Sequence, residues 1–143
     1  MQLFRIPALA ICVALGACAA NPPPAPNLYA RLGGEPVVSA VVTRTIARAA
    51  QDPRTMRSFD GIKLATLDAS ITQQLCAISG GGCHYEGQDM AKAHADLHIR
   101  PGEFDALVDM LREEFDAAHV DAGAKNELLK RLAPMKRAIV AAS

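Results

Sequence analysis

The segment Gly87–Ile99 reads GQDMAKAHADLHI and follows a glycine-rich break. It is predicted to form a short helix over 89–97. His94 and His98 lie four residues apart, so they could share one face of that helix, which is in principle a two-ligand metal pattern. The glutamate that zinc proteases place between such histidines is missing. The pair alone does not define a metal site, and its interpretation depends on the sequence around it.

Helical spacing dominates on both sides of this segment. Apolar residues recur at intervals of three and four over 64–78, and Ser79–Gly82 breaks that helix. Pro101 opens another helix with an apolar face: Phe104, Leu107, Val108, Leu111 and Phe115. A helix is also predicted from Glu35-Pro36 to Ala50, and a last one near the C-terminus with a kink at Pro134. Phe59 stands in a turn region between helices, and no alternating strand is evident, so the predicted fold class is all-α.

The composition agrees with one folded domain. Of 143 residues, 50% are hydrophobic and 21% charged, which argues against disorder. The formal net charge is zero, whereas a general nucleic-acid binder normally carries a basic excess. The zero balance therefore predicts no nucleic-acid partner. No serine, cysteine or carboxylate stands in an evident catalytic motif, so the sequence does not indicate an enzyme.

The N-terminus is predicted to be an export segment. Arg5 precedes an apolar run of about ten residues, too short for a bilayer span of roughly 20. Leu15-Gly16-Ala17-Cys18 resembles the bacterial lipobox. We therefore expect a signal peptide over 1–17, a lipidated Cys18 that begins a proline-rich tether over 18–27, and a domain over 28–143. Ordinary cleavage after Ala19 and a buried cytosolic helix are the alternatives.

The same pattern predicts a location. Ala19, rather than aspartate, follows the cysteine, which resembles outer-membrane sorting. The expected location is the periplasmic face of the outer membrane, with membrane contact through the lipid.

Two cysteines remain once Cys12, in the signal peptide, and the lipidated Cys18 are set aside. Cys76 and Cys83 would then lie in an oxidising compartment, where an even pair suggests a disulfide across Gly80–Gly82. A zinc site formed by these two cysteines with His84 is one alternative, although the spacing is wider than structural zinc sites use. A pair of free thiols is the other.

Several motifs together resemble the group I truncated haemoglobins. They are the opening Leu28–Glu35 (LYARLGGE), the turn Phe59–Ile62 (FDGI), the glycine loop followed by Tyr85-Glu86-Gly87, and Gly87–Ile99 with Phe104 beyond it. Pro134 also falls where the family has a proline in its last helix. The resemblance covers Leu28 to about Val140.

This resemblance implies a globin with two helices laid on two others around one haem b. His94 falls on the proximal iron ligand, and its other ring nitrogen is expected to donate to a backbone carbonyl. Phe59 is expected to pack on the porphyrin face. The proximal or lateral pocket would be lined by Met90, Ile99, Phe104 and Val108.

The distal side departs from the family pattern. Ile46 stands where the family has a tyrosine, and Leu67 and Ile71 stand where it commonly has glutamines. None of these three side chains can donate a hydrogen bond, and Thr45 and Thr66 do not sit at the expected position. Bound O2 gains from a donor worth about 1.5–3 kcal/mol, so O2 should be held weakly while NO and CO are bound. We also expect five-coordinate ferrous haem.

Two functions from different classes follow. The first is a haem globin at the cell envelope that binds diatomic gases in sensing, scavenging or redox, with an unidentified electron partner. Nitric oxide dioxygenation is disfavoured, because it needs a stable O2 complex. The second is a haem-free helical lipoprotein with a structural or interaction role; a zinc-binding module is a weaker third.

Overall fold

The computed structural model describes residues 24–141, so the predicted signal peptide and Cys18 lie outside the described residues. Within 24–141 the regular structure is helical throughout, with no strand, which confirms the all-α prediction. The elements are α1 (Leu28–Arg31), α2 (Gly34–Ala49), a 3-10 helix (Met56–Phe59), α3 (Leu64–Ile78), α4 (Met90–Ala93), α5 (Pro101–Ala117), α6 (Ala122–Leu132) and α7 (Met135–Ala141).

Helix α2 is helical despite its β-branched content because tertiary burial outweighs intrinsic propensity. Val38, Val41 and Ile46 lie on one face and are buried. That face packs against α3 and α5. Phe115 of α5 and Leu128 of α6 are fully buried and join the same apolar cluster. The core therefore lies between α2 and the helices that cross it.

Charged side chains tie α2 to α5 along one edge of this core. Glu114 is buried and accepts from Arg44 Nε and from Arg48 Nη1, both at 2.7 Å. Hydrogen bonds from Arg48 and Arg44 hold the pKa of Glu114 below its usual range, outweighing the opposing effect of burial. Arg48 also pairs with Glu113 at the surface, at 2.6 Å.

A disulfide joins Cys76, in the last turn of α3, to Cys83 in the loop beyond it, as predicted. Glycine is required between them. A Cβ at Gly81 would lie 2.6 Å from Cys76 Sγ, and Gly82 has a φ of 81°. The loop from α3 to α4 is thus pinned near its middle.

Two elements differ from the sequence prediction. Helix α4 is only Met90–Ala93, rather than a helix over 89–97, because the backbone turns left-handed at Asp96 and His98. At Pro134 the chain forms two helices rather than one kinked helix, since α6 ends at Leu132 and α7 begins at Met135.

The N-terminal residues that are described fold onto this core. Asn27, assigned to the tether by the sequence, caps α1, and its side-chain amide donates to the Gly80 carbonyl at 2.8 Å. Within residues 24–141, no helix combines the length and the apolar character that a bilayer crossing requires.

Candidate functional site

A cavity of about 300 Å³ lies between α2, α3, α4 and α5. This volume is within the range of roughly 300–1,000 Å³ that is typical of small-molecule and cofactor sites. All nine residues that the sequence assigned to a cofactor line it: Ile46, Phe59, Leu67, Ile71, Met90, His94, Ile99, Phe104 and Val108. Residues that are far apart along the chain therefore meet around one mostly apolar space.

His94 is the histidine of this lining and offers an imidazole nitrogen to the cavity. It lies at the C-terminal end of α4, where its backbone N–H donates to the Met90 carbonyl at 3.2 Å. Its ring Nδ1 is 2.8 Å from the same carbonyl oxygen. A carbonyl can only accept, so Nδ1 is the donor, and in the neutral ring this tautomer leaves the lone pair on Nε2. This is the tautomer and second hydrogen bond expected of a metal-ligating histidine.

Part of the lining comes from α2 and α3. Ile46 is buried on α2, while Leu67 and Ile71 are half-buried one turn apart on α3. Thr45 also lines the cavity, but its hydroxyl donates to the Val41 carbonyl at 2.8 Å. Thr66 is exposed and does not line the cavity. The three positions singled out by the sequence thus present hydrocarbon, and the nearest threonine has its donor engaged.

An ion pair holds the loop that follows His94, residues 94–100. Arg57 donates to Glu103 at 2.7 Å, to the His98 carbonyl at 2.8 Å and to the Leu97 carbonyl at 3.3 Å. Glu103 also accepts from the Arg100 backbone N–H at 2.6 Å. Burial alone would raise the pKa of Glu103, but Arg100 and Arg57 outweigh it and leave that pKa below its usual range. We call Arg57 and Glu103 the loop clasp.

The second histidine of the opening segment is not part of the site. His98 is exposed, has a φ of 50° and does not line the cavity. Because α4 ends at Ala93, the four-residue spacing to His94 never brings the two rings onto one helical face. The two-histidine metal pattern is therefore wrong for this chain.

The zinc alternative is also excluded. Both of its cysteines are consumed in the disulfide, and His84 is exposed. Within residues 24–141, no cluster of three or more histidine, cysteine or acidic side chains could hold a metal ion.

Five polar residues of the lining were not singled out from the sequence: Thr55, Ser58, Ser70, Gln74 and Glu103. Ser58 Oγ is buried without a hydrogen-bond partner. A serine beside Phe59 in a turn region belongs to no recognisable sequence pattern, so the sequence did not indicate that Ser58 lines the cavity. Gln74 was findable, since it lies seven residues after Leu67 and three after Ile71, on the same helical face.

These residues fit a haem better than they fit a bare metal ion or a polar ligand. The lining is predominantly apolar, as a porphyrin needs, and offers one imidazole whose Nδ1 is held by a backbone carbonyl. The buried, unpartnered hydroxyl of Ser58 is a further sign that the cavity is shaped for an occupant.

Comparison with known proteins places the chain in a family. The family model described as bacterial-like globin matches residues 27–141. A group 1 truncated haemoglobin GlbN from Nostoc sp. (strain MUN 8820) is 32% identical over 114 residues, spanning 80% of this chain and 97% of the relative. A group 1 truncated haemoglobin from Tetrahymena pyriformis is 27% identical over 104 residues, spanning 73% of this chain and 86% of the relative.

Solved structures agree on the fold. The Fe(III) form of the Tetrahymena pyriformis truncated haemoglobin superposes with a TM-score of 0.76 at 24% identity, over 80% of this chain and 98% of that one. A 2/2 haemoglobin from Synechococcus sp. PCC 7002, in the cyanomet state with covalently attached haem, gives 0.76 at 21% identity, over 81% and 99%. These likenesses confirm the predicted two-on-two helical architecture, and the matches together show that this chain belongs to the bacterial-like globins as a group 1 truncated haemoglobin.

Proposed function

We propose that this chain binds haem b through His94 and binds diatomic gases within the same cavity. Membership of the truncated globins supports haem and gas binding. The observation that carries the assignment to His94 is its Nδ1 contact with the Met90 carbonyl at the edge of an apolar cavity. When bound, haem supplies an iron that coordinates small gases. His94 would supply the nitrogen that holds the iron, the Met90 carbonyl would fix the orientation of its ring, and the apolar lining would exclude water.

The remaining cavity residues divide into two walls around this ligand. Phe59 and Phe104 offer aromatic surface for a flat ring, while Met90, Ile99 and Val108 offer flexible or branched aliphatic surface. On the other wall, Ile46, Leu67 and Ile71 present no donor. We infer that NO and CO bind without penalty, whereas O2 is weakly held because nothing at these positions stabilises its partial negative charge.

A spectroscopic comparison of two histidine variants tests this function. Protein produced with haem should show a Soret band that His94→Ala abolishes and that added imidazole restores. His98→Ala is the matched control, because His98 is four residues away and exposed, and it should leave the band unchanged. A folded protein that takes up no haem would overturn the proposal in favour of the haem-free alternative. A Soret band that survives His94→Ala unchanged would overturn His94 as the ligand.

We further propose that the globin is tethered to the cell envelope by lipid on Cys18. The lipobox-like Leu15–Cys18 and the proline run after it support this, and so does a disulfide, which persists in oxidising compartments. Labelling with a palmitate analogue should be lost in Cys18→Ala and kept in Cys12→Ala. Labelling that is absent from the unaltered chain would overturn the anchor.

The physiological role that fits a weakly held O2 is gas sensing, scavenging of NO, or electron transfer, rather than O2 storage. Rapid loss of O2 disfavours nitric oxide dioxygenation, which needs O2 to stay bound while NO arrives. The ratio of NO affinity to O2 affinity in the ferrous protein is the measurement that separates these roles.

A further inference from the structure

The amide of Gln74 is a polar group in the cavity that is free to change partners. Its Nε2 lies 3.5 Å from Met90 Sδ and 3.9 Å from Met135 Sδ. Thioether sulfur is a weak acceptor, so these contacts hold the amide in place without satisfying it. A stronger acceptor placed in the cavity would accept the hydrogen bond from Gln74 Nε2 in place of both sulfurs.

The position of Gln74 on α3 directs it toward the same space as the predicted distal residues. Leu67, Ile71 and Gln74 follow one another at intervals of four and three, which places them on one face of the helix. All three line the cavity. Gln74 lies about 4.5 Å further along the helix axis than Ile71, given a rise of 1.5 Å per residue. Its side chain is long and has free rotatable bonds, so it can cover that offset.

Four other polar side chains of the lining are already engaged, whereas Ser58 and Ser70 also line the cavity and the buried Ser58 hydroxyl has no hydrogen-bond partner. Thr45 and Thr55 donate to the carbonyls of Val41 and Ala49. Tyr85 donates to the Gln88 carbonyl at 3.4 Å. Glu103 accepts from Arg57 and from the Arg100 amide, and a carboxylate has no donor to offer. Gln74 combines a donor held only by sulfur with a place on the α3 face that carries Leu67 and Ile71, and its side chain is longer than that of either serine.

We propose that Gln74 is a specificity-determining residue of this globin, whose amide leaves the methionine sulfurs and donates to the bound gas. The inference rests on the proposed haem function and deepens it. It assigns to Gln74 the donor that Ile46, Leu67 and Ile71 lack. Ligands that accept a hydrogen bond would then be held more firmly than a fully apolar wall allows, while CO would still bind.

The test compares Gln74→Leu with Gln73→Leu in the haem-loaded protein. Gln73 is the same residue type on the same helix, half-buried, and does not line the cavity. For Gln74→Leu we expect O2 dissociation to accelerate about tenfold, the effect of losing one hydrogen bond. The C–O stretching frequency of the CO complex should rise, because a donor near the ligand lowers it. Gln73→Leu should change neither quantity.

The outcomes separate this inference from the function on which it rests. If the unaltered chain takes up no haem, the proposed function fails. If haem binds through His94 but Gln74→Leu leaves both the dissociation rate and the C–O frequency unchanged, the role of Gln74 is overturned. Gln74→Met, which keeps the length of the side chain without a donor, serves as a second variant if the leucine disturbs folding. It should give the same two shifts.

Discussion

Replacing Arg57 by methionine should loosen the 94–100 loop and weaken haem retention. The methionine keeps the aliphatic stem and removes the guanidinium, which contacts Glu103 and the carbonyls of Leu97 and His98. Hydrogen bonds to charged groups contribute roughly 1.5–3 kcal/mol. The Arg57 side chain is 45% exposed, so solvent screening places the expected loss at the low end.

We therefore expect Arg57→Met to lower the free energy of unfolding by about 1.5–2 kcal/mol, or about ten- to thirtyfold in the folding equilibrium. Urea unfolding of the apoprotein measures this loss directly. Haem transfer to an excess of apomyoglobin measures the second consequence. Transfer should accelerate, because the loop that follows His94 loses two of its carbonyl contacts.

The matched control is Arg54→Met, three residues earlier in the chain. Arg54 pairs with Asp52 at the surface. Within residues 24–141, none of the hydrogen bonds of Arg54 reaches the 94–100 loop. A double-mutant cycle with Glu103→Gln isolates the coupling within the loop clasp. Should Arg57→Met and Arg54→Met prove equally stable, with equal rates of haem transfer, the clasp would have no role in holding the loop.

Three further perturbations have defined outcomes. Ile46→Tyr should slow O2 dissociation about ten- to a hundredfold by restoring a donor, as followed by flash photolysis, and phenylalanine at the same position should not. Replacing both Cys76 and Cys83 by serine should lower the free energy of unfolding by about 2.5 kcal/mol from the loop-entropy relation, and an unchanged urea midpoint would contradict it. Because the pKa of Glu114 is depressed in the folded state, its contribution is present above its ordinary value of 4.5 and lost as the pH falls below it. Glu114→Gln should therefore flatten the acid limb of a stability-against-pH curve, and an unaltered limb would show that Arg44 and Arg48 contribute nothing there.

The long helices were predictable because local spacing and tertiary packing agree in them. The intervals of three and four over 64–78 match α3 at both ends, and Pro101 begins α5 as expected. The nine cofactor residues were placed by resemblance and all of them line the cavity. Their contact with haem stays a prediction.

The loop beside His94 was not predictable, for a physical reason. Asp96 and His98 have positive φ values, which non-glycine residues adopt uncommonly and which no helical pattern predicts. The contact that fixes His98 comes from Arg57, which lies 41 residues earlier in the chain. No local sequence pattern indicates such a long-range pair. The sequence therefore predicts a helix that continues to residue 97, whereas α4 ends at Ala93.

The polarity of a ligand cavity depends on which donors remain free, and residue counts do not reveal this. Several polar side chains line this cavity, yet the hydroxyls of Thr45 and Thr55 are engaged by backbone carbonyls, as folding requires for buried groups. Ile46, Leu67 and Ile71 were each compared with the family pattern separately. Gln74, which shares a face of α3 with Leu67 and Ile71, was therefore not predicted. The amide of Gln74 is held only by weak acceptors, so a small change in its surroundings can move it toward a ligand or away from it. It follows that substitutions at Met90 or Met135, which would not touch the gas themselves, should also shift the rate of O2 loss through the freedom of Gln74.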